Sequence, residues 1–337
     1  MWAARYDRGE VPDASPYGLH KLGEHGIDVM FGEATFGHIA ERVAASVRYR
    51  TSGIELLEGL AETRARRAAD VVLAYDERTG MPAELLRTRG QAPVVLGVGW
   101  LTHRAATPRV LAALAGRALP RAAAVFAQCA PVLPVLQRDW GVPRSRLHFV
   151  RVGIDTDFYE VQPEPEDDGV IASAGEDRYR DHALLVEAVS RLRPKHPGIR
   201  LELATGLPVV LPEELGTLYR GRMDGRMREL YRRAAVVAIA LKPTISGSGL
   251  TVVLEAMASG RPVVITDNPG IADYVDHGVT GLLVPPNDVD AFAAAIGQLI
   301  ADPHRRAEMG AAAAIRARER FTSDVMAADL AALAKST

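Results

Sequence analysis

One cysteine occurs in 337 residues. Cys129 has no second cysteine to pair with, so an internal disulfide is excluded and a reducing, cytoplasmic setting is expected. Its surroundings, AVFAQCAPVL, are apolar, which suits a buried structural thiol better than a nucleophile. An excess of one charge is also missing: 40 basic residues stand against 42 acidic ones. That balance leaves no electrostatic footprint for nucleic acid and no polybasic tail for a membrane. No apolar run reaches eighteen residues, and no secretory leader pattern is found. No transmembrane span is expected, while a peripheral membrane contact stays open. His20, His25 and His38 lack metal-ligand spacing, so no metal site is assigned.

What is present is a repeated alternation. Length favours two domains. DVVLAYD, ending at Asp76, then APVVLGVGW and AAAVFAQCA read as buried strands, with helical stretches such as ELLEGLAETRARRAA between them. MWAARYDRG reads as the end of a first strand. QPEPEDDG, with two prolines, four carboxylates and a glycine, reads as a linker. The alternation then restarts: GVIASAG, RLELATG, VVAIAL and RPVVIT as strands, DHALLVEAVSRLR, MRELYRRAA and TVVLEAMASG as helices. The expected fold is α/β, two Rossmann-like doubly wound parallel-sheet domains facing a cleft. The expected boundaries are 1–160, 161–322 and a C-terminal helix at 323–337 packing back on the first domain. Ligands of such sheets bind at the carboxyl ends of the strands.

One stretch carries the chemistry. SGSGLTVVLEAMASGRPVVIT begins at Ser246 with a glycine-rich turn, Ser246–Gly249, that opens a helix near Thr251. Free amides at a helix start suit a diphosphate or sugar hydroxyls. Glu255 lies about one turn into that otherwise apolar helix. A carboxylate accepts two hydroxyl hydrogen bonds at once, which suits a ribose diol. The competing assignment is a capping or salt-bridged helix Glu.

The longer stretch GLTVVLEAMASGRPVVITDNPGIADYVDHGVTGLLVPPND resembles the donor-site signature of GT-B glycosyltransferases, family 4. RVGIDTDFYE resembles the segment that joins that family's domains. The resemblance extends over about residues 120–325 and is weak over the first hundred. It implies a retaining transferase that takes a sugar from a nucleotide diphosphate donor without a metal or other cofactor. It also implies donor contacts from Ser246, Gly247, Ser248, Gly249, Leu250, Thr251 and Glu255. The family's cationic loop falls on SAGEDRYRDHALL, where Arg180 takes the Lys position, Glu176 replaces the usual Arg, and Arg178 is the expected compensation. Arg222, in YRGRMDG, falls near the base. His103 is the candidate for a cleft histidine whose gapless position is Gly99. A second departure is larger: the family's first Glu, which contacts the transferred sugar, falls on Gly247, so Ser246 or Ser248 is expected to grip the sugar. The acceptor would be a small molecule, a lipid or a glycan. Three other readings compete. One is a silent GT-B protein that binds a sugar nucleotide or a partner enzyme. Another is a sugar-nucleotide epimerase on the same fold. The third, an NAD-dependent dehydrogenase, is disfavoured because SGSGLTVVLEA lacks the third glycine of its motif.

Overall fold

The computed structural model describes residues 2–32, 36–162, 164–221 and 223–337. The chain divides into two compact units that are not consecutive in sequence. One unit comprises Leu22–Arg151, Ile245–Gly247 and Ala328–Thr337; the other comprises Met1–Lys21, Val152–Thr244 and Ser248–Ala327. The linear boundaries read from composition differ from this division. The linker expected at QPEPEDDG lies inside the second unit, where Glu166 N and Asp167 N donate to the carbonyls of Arg232 and Arg233. Glu164, Glu166 and Asp168 are exposed and Asp167 is half-buried, but the backbone is tied down.

The first unit is built on a four-stranded parallel sheet in the order β1 (Val72–Ala74), β2 (Val94–Val98), β3 (Ala124–Ala127), β4 (Leu147–Phe149). Every residue of β2 and β3 is buried, as strands covered on both faces require. Leu96, Val125, Met81, Leu136 and Trp140 fill its core, and Cys129 is buried there as expected. Gly97 is needed because a Cβ would lie 2.0 Å from the Tyr75 carbonyl oxygen.

The second unit carries a six-stranded parallel sheet in the order β10-β9-β8-β5-β6-β7. The strands are β5 (Val170–Ala174), β6 (Arg200–Ala204), β7 (Gly216–Tyr219), β8 (Val236–Ile239), β9 (Val263–Thr266) and β10 (Gly281–Val284). Alternate residues feed two cores. Val170, Ala172 and Ala174 join one with the helices Met227–Arg233 and Leu250–Ala258. Ile171 joins the other with the helices His182–Leu192 and Val289–Ala301. From β5 the chain moves through β6 to β7 on one side, then crosses to β8, β9 and β10 on the other. The crossing point lies between β5 and β8, and there an open α/β sheet leaves a crevice.

One local expectation is corrected. MWAARYDRG holds a helix, Trp2–Tyr6, and not a strand end. GLLV, inside the quoted signature, forms β10, paired in parallel with β9. β4 and β7 are further strands without a strong sequence signal, being short and only partly buried. No described helix is long and apolar enough to cross a membrane.

Candidate functional site

The crevice between β5 and β8 is bounded by residues 175–181 and 240–244, with 248–249 beside them. They are stitched together by backbone hydrogen bonds from Lys242 N to Tyr179 O at 2.7 Å and from Asp181 N to Ala240 O at 2.9 Å. Gly175, at φ +141, lets the first loop fold onto itself: a Cβ there would lie 2.0 Å from Arg180 Nε. The Arg180 side chain is only 6% exposed, although a polar loop residue would be expected at the surface. Its Nε donates to Asp177 Oδ2 at 2.9 Å. Asp177 Oδ1 accepts from Ser248 Oγ at 2.8 Å and from Tyr179 N at 3.0 Å. The buried Nη1 of Arg180 finds no acceptor among the described residues.

That nitrogen faces the start of the helix Leu250–Ala258. A Cβ on Gly249 would lie 3.4 Å from Arg180 Nη1. Gly249 holds φ +87 at the helix N-cap and supplies no capping side chain. The amides of Leu250, Thr251 and Val252 are therefore first-turn donors with no partner inside the helix. Leu250 is buried, so its side chain serves the core and its amide serves the turn. A guanidinium edge and a helix N-terminus meeting at a switch point form an anion site. Burial lowers the Arg180 pKa, opposed by Asp177, yet a guanidinium stays charged. Beside it opens a cavity of about 840 Å³ lined by Arg178, Arg180, His182, Arg220 and Lys242.

Glu255 is the second feature. Its Oε1 accepts the Tyr159 hydroxyl at 2.8 Å and its Oε2 accepts the Tyr231 hydroxyl at 2.7 Å. Burial pushes the Glu255 carboxyl up, while the two hydroxyls and Arg180 pull it back down. Glu255 and Thr251, one turn apart on the same face, line a cavity of about 480 Å³ together with Tyr159, Asp155, Asp13 and Tyr17. This volume falls within the range of small-molecule sites.

The expected residues thus fall into groups. Arg178 and Arg180 share one cavity, Gly249 and Ser248 adjoin Arg180 and Asp177, and Glu255 with Thr251 lines the second cavity. Arg178 is exposed and stacks 4.8 Å over the Tyr179 ring. Glu176, in place of the expected Arg, turns away to accept the Gly206 amide at 3.1 Å. Ser246 and Gly247 are grouped with the first unit. His103 also belongs to the first unit, on an exposed turn where its Nδ1 lies 3.3 Å from Asp139 Oδ2. Arg222 lies outside the described residues. Sequence reasoning missed Asp177, Lys242, Tyr159 and Tyr231. Asp177, Tyr159 and Tyr231 stood in quoted stretches, but only the folded chain brings them to the residues they serve.

The same reasoning missed a buried carboxylate in the first unit. Glu77 is 3% exposed, and its oxygens accept the amides of Gly99, Trp100 and Leu101, each at 2.8 Å. It fixes the loop after β2, and burial raises its pKa, opposed by the amides of Gly99 and Trp100.

Two parallel-sheet domains of this kind define the GT-B fold. Comparison with solved structures agrees: an Anabaena protein, HepE, crystallised with UDP and glucose superposes with a TM-score of 0.69 at 19% identity, covering 96% of this chain and 90% of its own. Residues 169–302 match the model of the family Glycosyl transferases group 1. Alpha-maltose-1-phosphate synthase of Mycolicibacterium smegmatis is 31% identical over 208 residues, 53% of this chain and 54% of that protein. D-inositol 3-phosphate glycosyltransferase of Kribbella flavida is 39% identical over 119 residues, 35% of this chain and 27% of that protein. The chain thus spans about half or less of the length of these curated relatives. The resemblance to GT-B glycosyltransferases drawn from the motifs is borne out.

Proposed function

We propose that the protein is a glycosyltransferase that moves a sugar from a nucleotide diphosphate sugar to an acceptor hydroxyl with retention of anomeric configuration. The observation that carries this reading is the buried Arg180 guanidinium, whose Nη1 has no acceptor among the described residues and lies beside the helix start at Gly249. A diphosphate supplies the missing acceptor. Lys242 and Arg178, on the same cavity, add positive charge, and the first-turn amides complete the cradle. As the bond between the anomeric carbon and the diphosphate oxygen breaks, negative charge grows on that oxygen, and these preset donors stabilise it. The acceptor oxygen approaches on the face the diphosphate leaves, and its proton passes to the departing phosphate oxygen. Glu255 accepts hydroxyls of the ribose. Charge stabilisation then comes from Arg180, Lys242 and backbone amides, so the reaction runs without a bound metal. The acceptor class is a small molecule, lipid or glycan, in natural-product, polysaccharide or glycolipid biosynthesis.

The test is a thermal-shift series with UDP, GDP, ADP and dTDP. A ligand at one hundred times its Kd stabilises by about 2.7 kcal/mol. At least one of these nucleotides is expected to raise Tm, and inclusion of EDTA is expected to leave the shift unchanged. No shift with any of the four would refute the reading.

A further inference from the structure

The carboxylate of Glu255 is not free to turn. Each of its oxygens is held by a tyrosine hydroxyl, from Tyr159 at 2.8 Å and from Tyr231 at 2.7 Å. The two tyrosines come from distant parts of the chain, and their rings meet edge to face at 6.1 Å. Each is fixed in turn. The Tyr231 ring is fully buried, and its carbonyl accepts from Arg261 Nε at 2.8 Å. Tyr159 is 3% exposed and packs against Phe158 at 5.1 Å, and Arg228 covers Phe158 at 4.0 Å. A phenylalanine would fill either place equally well, so packing alone does not explain the hydroxyls. Burial beside Glu255 also raises both phenols well above their ordinary pKa, which keeps them as donors.

We propose that Tyr159 and Tyr231 are positioning residues that present the Glu255 carboxylate in one orientation, and that this clamp selects a vicinal diol, so the donor is a ribonucleotide and not a 2′-deoxyribonucleotide. A carboxylate offers about four acceptor positions. The tyrosines take one on each oxygen and leave one on each. These two point from one rigid group, which matches two neighbouring hydroxyls and not one. Thr251, one turn before on the same cavity wall, confines the diol from the helix side. The inference rests on the nucleotide reading above.

Calorimetry with UDP, GDP and ADP, each against its 2′-deoxy counterpart, tests it on wild type, Y159F and Y231F. The wild type is expected to prefer the ribonucleotide at least ~10-fold, the worth of about 1.4 kcal/mol. Each Phe variant is expected to reduce that preference to within about threefold while its affinity for inorganic pyrophosphate stays unchanged. A purely structural role would weaken both probes together and leave the ratio intact. Should Y231F fold poorly, Y159F carries the test alone, since its ring borders the cavity. An unaltered ribo-to-deoxy ratio in a folded variant overturns the clamp and leaves the nucleotide reading standing. A wild type that binds none of the nucleotides overturns both.

Discussion

Arg180 shows how little a residue's neighbours in sequence say about its surroundings. SAGEDRYRDH is a polar string, and from it a substitution at Arg180 would be expected to cost little stability. In the fold that side chain is buried against Gly175 and paired with Asp177, whose own side chain is 13% exposed. Removing the cation leaves a largely buried carboxylate with two donors, Ser248 Oγ and Tyr179 N, in place of three. Breaking such a pair costs about 3–5 kcal/mol. Asp177 retains two hydrogen bonds, so Arg180→Ala is expected at about 3 kcal/mol, near the lower end of that range. Arg178, exposed and stacked on Tyr179, is the contrast: Arg178→Ala is expected within about 0.5 kcal/mol of wild type. Urea unfolding of the two variants measures both. Equal midpoints would mean that the Arg180–Asp177 pair does not contribute to folding.

At the scale of the element, the helix Leu250–Ala258 joins two demands. Its apolar residues, Val253, Leu254 and Met257 among them, anchor it in the core, and its first turn stays uncapped by any side chain. The turn before it takes its shape from Gly249 at φ +87 and from the Ser248–Asp177 hydrogen bond. Gly249→Ala forces an L-residue into the left-handed region, at about 1–2 kcal/mol. Its Cβ would also lie 3.2 Å from Ile239 Cγ2, tighter than ordinary contact. Ser248→Ala removes one hydrogen bond, worth about 1 kcal/mol. We therefore expect Gly249→Ala to weaken nucleoside diphosphate binding more than Ser248→Ala does. Ser248→Ala is expected to act instead on sugar selectivity or KM. Donor-competition kinetics decide the second point: an identical donor profile would leave the sugar gripped by backbone groups alone.

For the whole molecule, the testable property is the stereochemistry of the product. Retention is proposed because the cationic groups of the second unit converge on one place, where a diphosphate would leave and could take the acceptor proton. Proton NMR of the product, once donor and acceptor are in hand, is expected to show the anomeric configuration of the donor. An inverted centre would overturn the proposed route and require a side-chain base. Both units are open parallel sheets, and in the second the reversal of strand order between β5 and β8 locates the candidate site.

Much of this was legible in the chain itself. Buried strands of Val, Ile, Leu and Ala alternating with amphipathic helices determine parallel sheets, because only crossover helices can cover both faces. The SGSGLTVVLEAMASG run marked the turn, the helix and Glu255 by local rules alone, since glycine freedom and helical periodicity act over a few residues. What tertiary structure decided is everything that depends on contact between distant segments. Tyr159, Tyr231 and Glu255 are separated by up to 96 positions yet share one carboxylate. Asp177 meets Ser248 across 71 positions. β10 is a strand because β9 offers it a ladder. Residues 1–21 group with the second half of the chain, and no local pattern announces that. Hydrogen bonds and ion pairs between remote side chains follow from the packing of whole elements, and a one-dimensional pattern does not encode which atoms that packing brings within 3 Å.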